Sequence, residues 1–148
     1  MNLDLSAIRH YCAYQERCHS EVRHKLLELG FRGATLEEAM AALIADDFLN
    51  EERFARSYSG GKFRVRQWGR RKIEQALKQK QVSAYCIRKG LQEIDPGDYY
   101  HTLQQLADKK WQELKSEKMP WIRKQKVLRY LLQKGYEADL VSGVLQER

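Results

Sequence analysis

Four metal-capable side chains, His10, Cys12, Cys18 and His19, fall close together near the start of the chain. A structural zinc site draws its ligands in tight pairs, and this spacing lacks that pattern. Cys12 and Cys18 read instead as small apolar residues of helices. Two acidic pairs, Asp46-Asp47 and Glu51-Glu52, flank the tripeptide FLN. Such carboxylates could hold a divalent ion that activates water for hydrolysis. They also suit the start of a helix, with Arg53 and Arg56 as nearby ion-pair partners. No phosphate-cradling glycine loop, dinucleotide fingerprint or zincin motif occurs. The expectation is a protein that is not an enzyme and has no metal or cofactor. A metal-dependent nuclease is the remote alternative.

Charge is the stronger signal. Residues 60–72 read GGKFRVRQWGRRK, with six basic side chains and no acid. Over residues 60–90, ten basic groups face the single acid Glu74, a local charge of +9 against +7 for the whole chain. Residues 109–134 add nine basic groups against Glu113 and Glu117, whereas 37–56 carry six acids against Arg53 and Arg56. A like-charged array repels itself unless an anionic partner relieves it. Lys and Arg grip phosphates through counterion release, largely without reading base sequence. Gln75, Gln79 and Gln81 could read a major groove from a short recognition helix, but glutamine is common on any helix surface.

The elements that must position these groups are helices. The chain has 148 residues, 43% of them hydrophobic, so a packed core is expected. Good helix formers dominate and only two prolines interrupt them. Three cysteines cannot all pair within one chain, and there is neither an apolar leader nor an apolar run of the ~20 residues that cross a bilayer. A monomeric cytoplasmic protein with reduced thiols, not associated with membranes, is the expectation.

An internal repeat organises the helices. EVRHKLLELGF at 21–31, KIEQALKQKQV at 72–82 and KVLRYLLQKGY at 126–136 align. Val22, Ile73 and Val127 correspond, then Leu26, Leu77 and Leu131, then Phe31, Val82 and Tyr136. Gly30 and Gly135 suit a left-handed helix stop. Gln81 stands in the equivalent place in the middle copy and weakens that stop.

A helix is expected before and after each copy. Leu5, Ile8, Tyr11 and Cys12 form an apolar face, with Cys18 on the side of Tyr11. Thr35 and Glu38 suggest a capping box for a helix that buries Leu36, Met40, Leu43 and Ile44. Asn50 caps the next helix, whose stripe is Phe54, Tyr58, Gly61, Val65 and Trp68. Gly60-Gly61 could bend it. Ser83 caps a helix presenting Cys86, Ile87 and Leu91. Asp95-Pro96 opens a helix with Tyr99, Leu103, Leu106, Ala107, Trp111 and Leu114 on its core side. A break falls at Met119-Pro120, and Leu140, Val141, Val144 and Leu145 close the chain. The expected fold is all-α, an elongated or curved array of three tandem three-helix repeats at 1–49, 50–94 and 95–148, the second strongly basic.

The run DDFLNEERFARSY at 46–58 resembles the RecX family of bacterial recombination regulators. So do SEVRHKLLELGF at 20–31, GRRKIEQAL at 69–77 and KVLRYLLQKGYEADLV at 126–141. The resemblance covers nearly the whole chain. It implies three tandem three-helix repeats, binding to the RecA recombinase filament on single-stranded DNA, and restraint of strand exchange and of the filament's co-protease role. It also implies DNA binding, duplex DNA included. Arg53, Phe54, Ala55 and Arg56 match a family motif that reads as architectural, with the arginines bridging Asp47 or Glu51. The expected contacts to DNA or to acidic filament surfaces are Lys62, Arg64, Arg66, Arg70, Arg71 and Lys72. A second patch comprises Arg123, Lys124, Lys126 and Arg129. A DNA-binding protein with no dependence on the filament is the rival reading.

Overall fold

The computed structural model describes residues 4–146. Among the described residues nine α-helices occur: α1 (Ser6–Tyr14), α2 (His19–Glu28), α3 (Gly33–Ala45), α4 (Glu51–Arg66), α5 (Arg70–Gln79), α6 (Ala84–Leu91), α7 (Pro96–Glu113), α8 (Pro120–Lys134) and α9 (Ala138–Gln146). The fold is all-α and is made of repeated three-helix modules. No helix among the described residues is long and apolar enough to cross a membrane.

The repeat is visible in the backbone. After α2, the Phe31 N–H donates to Leu26 O at 3.0 Å and the Gly30 N–H to Leu27 O at 3.1 Å. After α5, the Val82 N–H donates to Leu77 O at 3.1 Å and that of Gln81 to Lys78 O at 2.9 Å. After α8, the Tyr136 N–H donates to Leu131 O at 3.2 Å and that of Gly135 to Leu132 O at 3.0 Å. Each crossed pair satisfies last-turn carbonyls and requires a left-handed residue at the turn. Gly30 (φ 95°) and Gly135 (φ 102°) supply it freely, whereas Gln81 adopts φ 64°. A side chain there costs roughly 1–2 kcal/mol. The hydrogen bonds and the burial of Val82 offset that cost.

The chain forms two compact units, 1–58 with 77–90, and 59–76 with 91–148. In the first, Leu5, Ile8, Cys12, Val22, Leu26, Leu36, Ala39, Met40, Leu43 and Leu49 make a continuous core, with Tyr11, Phe31, Ala42 and Phe48 packed on it. Burial of each aliphatic side chain of this size contributes about 1.5–3 kcal/mol. Asn50 Oδ1 accepts the Arg53 N–H at 3.0 Å and starts α4, as its position before two acids predicts. The Ser83 hydroxyl likewise accepts the Cys86 N–H at 3.2 Å. In the second unit, α7, α8 and α9 pack on one another. Tyr99, Leu103, Ala107, Val127, Leu131, Tyr136, Val141 and Val144 are almost fully buried. Asp95 Oδ2 accepts the Asp98 N–H at 2.9 Å and Pro96 opens α7, as expected.

Several local expectations are corrected. Helix α1 ends at Tyr14, so Cys18 shares no helix face with Tyr11; it is the buried N-cap of α2, and its N–H donates to Glu21 Oε1 at 3.0 Å. Helix α3 starts earlier than Thr35, because Gly33 (φ 51°) opens it after an Arg32 N-cap. Thr35 is its third residue, and its hydroxyl donates to Arg32 O at 2.6 Å. Ile44 is exposed, one position off the stripe of Leu36, Met40 and Leu43, and Leu49 is buried in the core. Val65 is also exposed, at 79%. The inward line of α4 runs Ala55, Ser59, Phe63, and α4 ends at Arg66, so Trp68 lies beyond the helix and fixes nothing about its face. The helix is continuous through Gly60-Gly61.

Candidate nucleic-acid interface

The basic stretch 60–72 folds as the end of α4, a three-residue corner at 67–69, and the first turn of α5. Gln67 adopts φ 57°, which stops α4 and turns the chain. A corner this tight exposes carbonyls at one helix end and amides at the other. The end of α8 satisfies them within the same unit. The Gly69 N–H donates to Lys134 O, and the Arg71 N–H to Gly135 O, both at 2.8 Å. Lys134 Nζ donates to Arg66 O at 3.0 Å, and the Tyr136 hydroxyl to Gln67 O at 2.9 Å. The carbonyl end of α8 thus meets the amide end of α5, which is favourable for both helix dipoles. Gly69 and Gly135 permit the approach: a Cβ on Gly69 would fall on the Gly135 backbone, and one on Gly135 would fall on Lys72.

One arginine of the corner is turned inward. Arg70 Nη1 pairs with Glu137 Oε2 at 2.7 Å, and its guanidinium lies 3.9 Å from the Tyr99 ring centroid. The Arg70 N–H donates to the Tyr99 hydroxyl at 2.9 Å, and that hydroxyl donates in turn to Glu137 Oε1. Burial and the Glu137 hydrogen bond push the Tyr99 phenol far above its ordinary range. Burial raises Tyr136 likewise. Both hydroxyls therefore remain protonated donors at neutral pH.

The other cations stay outside this lock. Arg64, Arg66, Arg71 and Lys72 are exposed, and none forms an ion pair among the described residues. The Arg64 guanidinium lies over Gly60, close enough that a Cβ there would sit 2.7 Å from Nη1. Lys62 and Lys72 place their ammonium groups 4.9 and 4.6 Å from the Trp68 ring centroid. Lys134 is pulled below the ordinary lysine range by burial and by the like charges of Lys72 and Lys109. Positive charge at the start of α5 opposes the helix dipole, and no acid occupies that first turn. The geometry is an electropositive corner whose backbone is fixed and whose side chains reach outward.

The second predicted patch is different. Arg123 stacks 3.9 Å from the Trp111 ring centroid and its Nε donates to Trp111 O at 3.0 Å. Lys126 pairs with Glu117 at 3.0 Å. Lys124 is half-buried, and Arg129 lines a groove with Gln125, Leu128, Leu132 and Gln133. The +9 segment is itself divided: Lys78, Lys80, Arg88 and Lys89 belong to the first unit. Gln75, Gln79 and Gln81 are exposed, but Gln75 lies in the second unit and the other two in the first. Sequence reasoning missed Tyr99 and Glu137 as supports, and Lys109 and Lys134 as further cations. The only available signal was the repeated turn at Gly135-Tyr136, which marks a close approach without naming its partner.

The acidic stretch 37–56, a seam in the first unit, does not assemble a metal site. Asp46 pairs with Arg9 at 3.6 Å, and Asp47 and Glu16 pair with Arg53 at 3.2 and 2.6 Å. Glu51 faces His19, not an arginine, and Glu52 faces Arg56 at 3.5 Å. Among the described residues no group of three or more His, Cys, Asp and Glu could hold a metal ion.

Comparison with known proteins follows the same lines. Residues 50–91 match the second three-helix domain of RecX, and residues 97–145 the third. Regulatory protein RecX of Clostridium perfringens (strain SM101 / Type A) is 36% identical over 131 residues, or 88% of this chain and 61% of the relative. This chain therefore spans about three-fifths of the length of that clostridial relative. Regulatory protein RecX of Vibrio campbellii (strain ATCC BAA-1116) is 31% identical over 84% of this chain and 78% of its own length. The crystal structure of RecX from Lactobacillus salivarius matches the fold with a TM-score of 0.87, over 96% of this chain and 92% of that one, at 24% identity. With this extent of identity to its relatives and two matching domains, the chain belongs to the RecX family.

Proposed function

We propose that this protein is a non-catalytic regulator that binds the RecA filament on single-stranded DNA and restrains strand exchange and co-protease activity. It acts as a cytoplasmic monomer built of three-helix repeats at 1–49, 50–94 and 95–148. The observation that carries the reading is the corner of α4 and α5, where Arg64, Arg66, Arg71 and Lys72 face outward without carboxylate partners. Their chemistry fits a phosphate backbone or an acidic protein surface. Lys62 joins them as a contact. Arg70 and Arg123, held against Tyr99 and Trp111, position their neighbours rather than lead the contact. Lys124, Lys126 and Arg129 provide a weaker secondary surface.

The test compares wild type with the fourfold charge reversal R64E/R66E/R71E/K72E at one fixed salt concentration. RecA ATP hydrolysis and strand exchange are the readouts. Wild type is expected to inhibit both, and the variant to need about 100-fold more protein. A wild type that leaves both activities unchanged overturns the assignment. Binding to bare DNA without any effect on RecA would instead support the reading of a filament-independent DNA-binding protein.

A further inference from the structure

Trp68 is the least expected residue of the corner. It lies beyond the end of α4, and its N–H is fixed by Lys62 O at 3.2 Å. The ring is only partly buried, although Phe63, on the preceding helix, is in the core. Around it are two ammonium groups, from Lys62 and Lys72, within 5 Å of the ring centroid. Exposed Arg64, Arg66 and Arg71 lie on the helix ends on either side of it in sequence.

The ring is left part-open in a cationic setting. Surfaces that bind single-stranded nucleic acid combine these same two components. Cations track the phosphates, and an aromatic face stacks an unpaired base. A duplex keeps its bases stacked on each other and has no free face to offer. An acidic protein surface has none either. The Lys72 ammonium rests near the part-open ring on a long flexible stem. It can swing from the ring to a phosphate as the base arrives.

We infer that Trp68 is a stacking platform for an unpaired nucleobase, and that it makes this corner prefer single-stranded nucleic acid over duplex. The inference rests on the phosphate-binding reading of the corner. Lys72 guards the ring in the free protein and clamps a phosphate of the stacked nucleotide in the complex. The backbone lock through Gly69, Gly135 and Tyr136 holds the platform still, so little ordering is needed on binding.

The experiment is fluorescence anisotropy with three labelled probes of equal length: oligothymidylate, the same oligomer made of abasic sites, and a duplex. Wild type is expected to bind oligothymidylate about tenfold more tightly than the abasic oligomer, the gain of a single stacked base. Trp68→Leu should remove that preference, the two oligomers then binding equally. Trp68→Phe, which keeps a ring and guards against a folding defect, should retain part of it. Arg71→Ala should weaken both oligomers by the same factor. Equal binding of oligothymidylate and abasic oligomer by wild type overturns the stacking role while the phosphate surface stands. So does a preference that survives in Trp68→Leu. Failure of wild type to bind any probe overturns both.

Discussion

Arg53 and Arg71 carry the same guanidinium into opposite circumstances. Arg53, near the start of α4, is enclosed by acids: Glu16 at 2.6 Å, the Asp47 carboxylate at 3.2 Å and the Asp47 carbonyl at 3.1 Å. Arg71, in the first turn of α5, has its N–H bound to Gly135 O and its side chain exposed. The surroundings follow suit. In the first unit Arg23 grips Glu37 with two bonds of 2.6 and 3.1 Å, and Lys80 faces Glu21 at 3.5 Å. In the corner of the second unit Glu137 is taken by Arg70 and Tyr99. Arginine in the seam therefore stabilises the fold, and arginine at the corner leaves its charge for something else. A stretch of basic sequence says nothing by itself about which of these applies. The position of the nearest carboxylate decides.

The pH dependence of stability carries the largest effect. Tyr99 and Tyr136 at the corner have folded-state affinities for their protons well above the ordinary value of 10.0. Below that value their contribution is fully present. Above it the unfolded phenols ionise while the folded ones do not, so stability falls as pH rises, by about 1.4 kcal/mol per phenol per pH unit. Lys134 opposes this slightly, because burial and its lysine neighbours depress its folded value below 10.5. In the first unit burial raises Cys12, Cys18, Tyr11 and Tyr58 in the same direction, and the reversed sign belongs to a carboxylate. The hydrogen bond from Arg23 holds Glu37 below the usual carboxylate range. Its contribution is present above 4.5 and lost as pH falls through the depressed folded value. Urea unfolding between pH 9 and pH 11 should thus show a loss in wild type that is smaller by about 1.4 kcal/mol in Tyr136→Phe. An alkaline loss of equal size in Tyr136→Phe would place its origin elsewhere.

A paired exchange tests the two arginines directly. Arg53→Ala should cost about 1 kcal/mol of stability, since the pairs are partly solvated, and leave anion binding unchanged. Arg71→Ala should change stability by less than about 0.5 kcal/mol and weaken single-strand binding severalfold, with the salt slope lower by about 0.7. Chemical denaturation and a salt titration of affinity measure the two sides. If Arg53→Ala weakens binding as much as Arg71→Ala does, the contrast between seam and corner collapses.

The helices and their stops were legible in the sequence because periodicity and capping are local. Asn50, Ser83, Asp95-Pro96 and the three aligned turns behave as their neighbours dictate. Ile44 and Val65 were misplaced for a different reason. Their exposure depends on the phase of a helix against its packing partners, and one position of slip reverses it. In α4 the phase is set by Ala55, Ser59 and Phe63, small and large residues mixed, which a hydrophobic stripe search passes over. The corner was legible as charge but not as geometry. Arg70, Arg71 and Lys72 are indistinguishable as a tripeptide, yet Glu137 lies 67 residues from Arg70 in sequence and takes only that one. Long-range pairing of this kind has no local signature.

The smallest effect gives the finest discrimination within α4, at its two adjacent glycines. Both lie inside a continuous helix, where alanine is favoured over glycine by about 0.5–1 kcal/mol. At Gly61 a Cβ would meet nothing within 4 Å, so Gly61→Ala should gain that amount and leave binding alone. At Gly60 the Cβ would meet the Arg64 guanidinium, with Nη1 at 2.7 Å and Nη2 at 2.8 Å. The obstacle is the far end of a flexible side chain, so the helix keeps most of its gain while Arg64 is pushed from its place. Gly60→Ala should therefore stabilise nearly as much as Gly61→Ala, yet shift single-strand affinity by up to about twofold, because Arg64 supplies one phosphate contact among several. Two alanine variants with the same thermal stability and different affinities would locate Arg64 in the contact surface. Two with the same affinity would remove it from that surface and shift the contact toward Arg71 and Lys72.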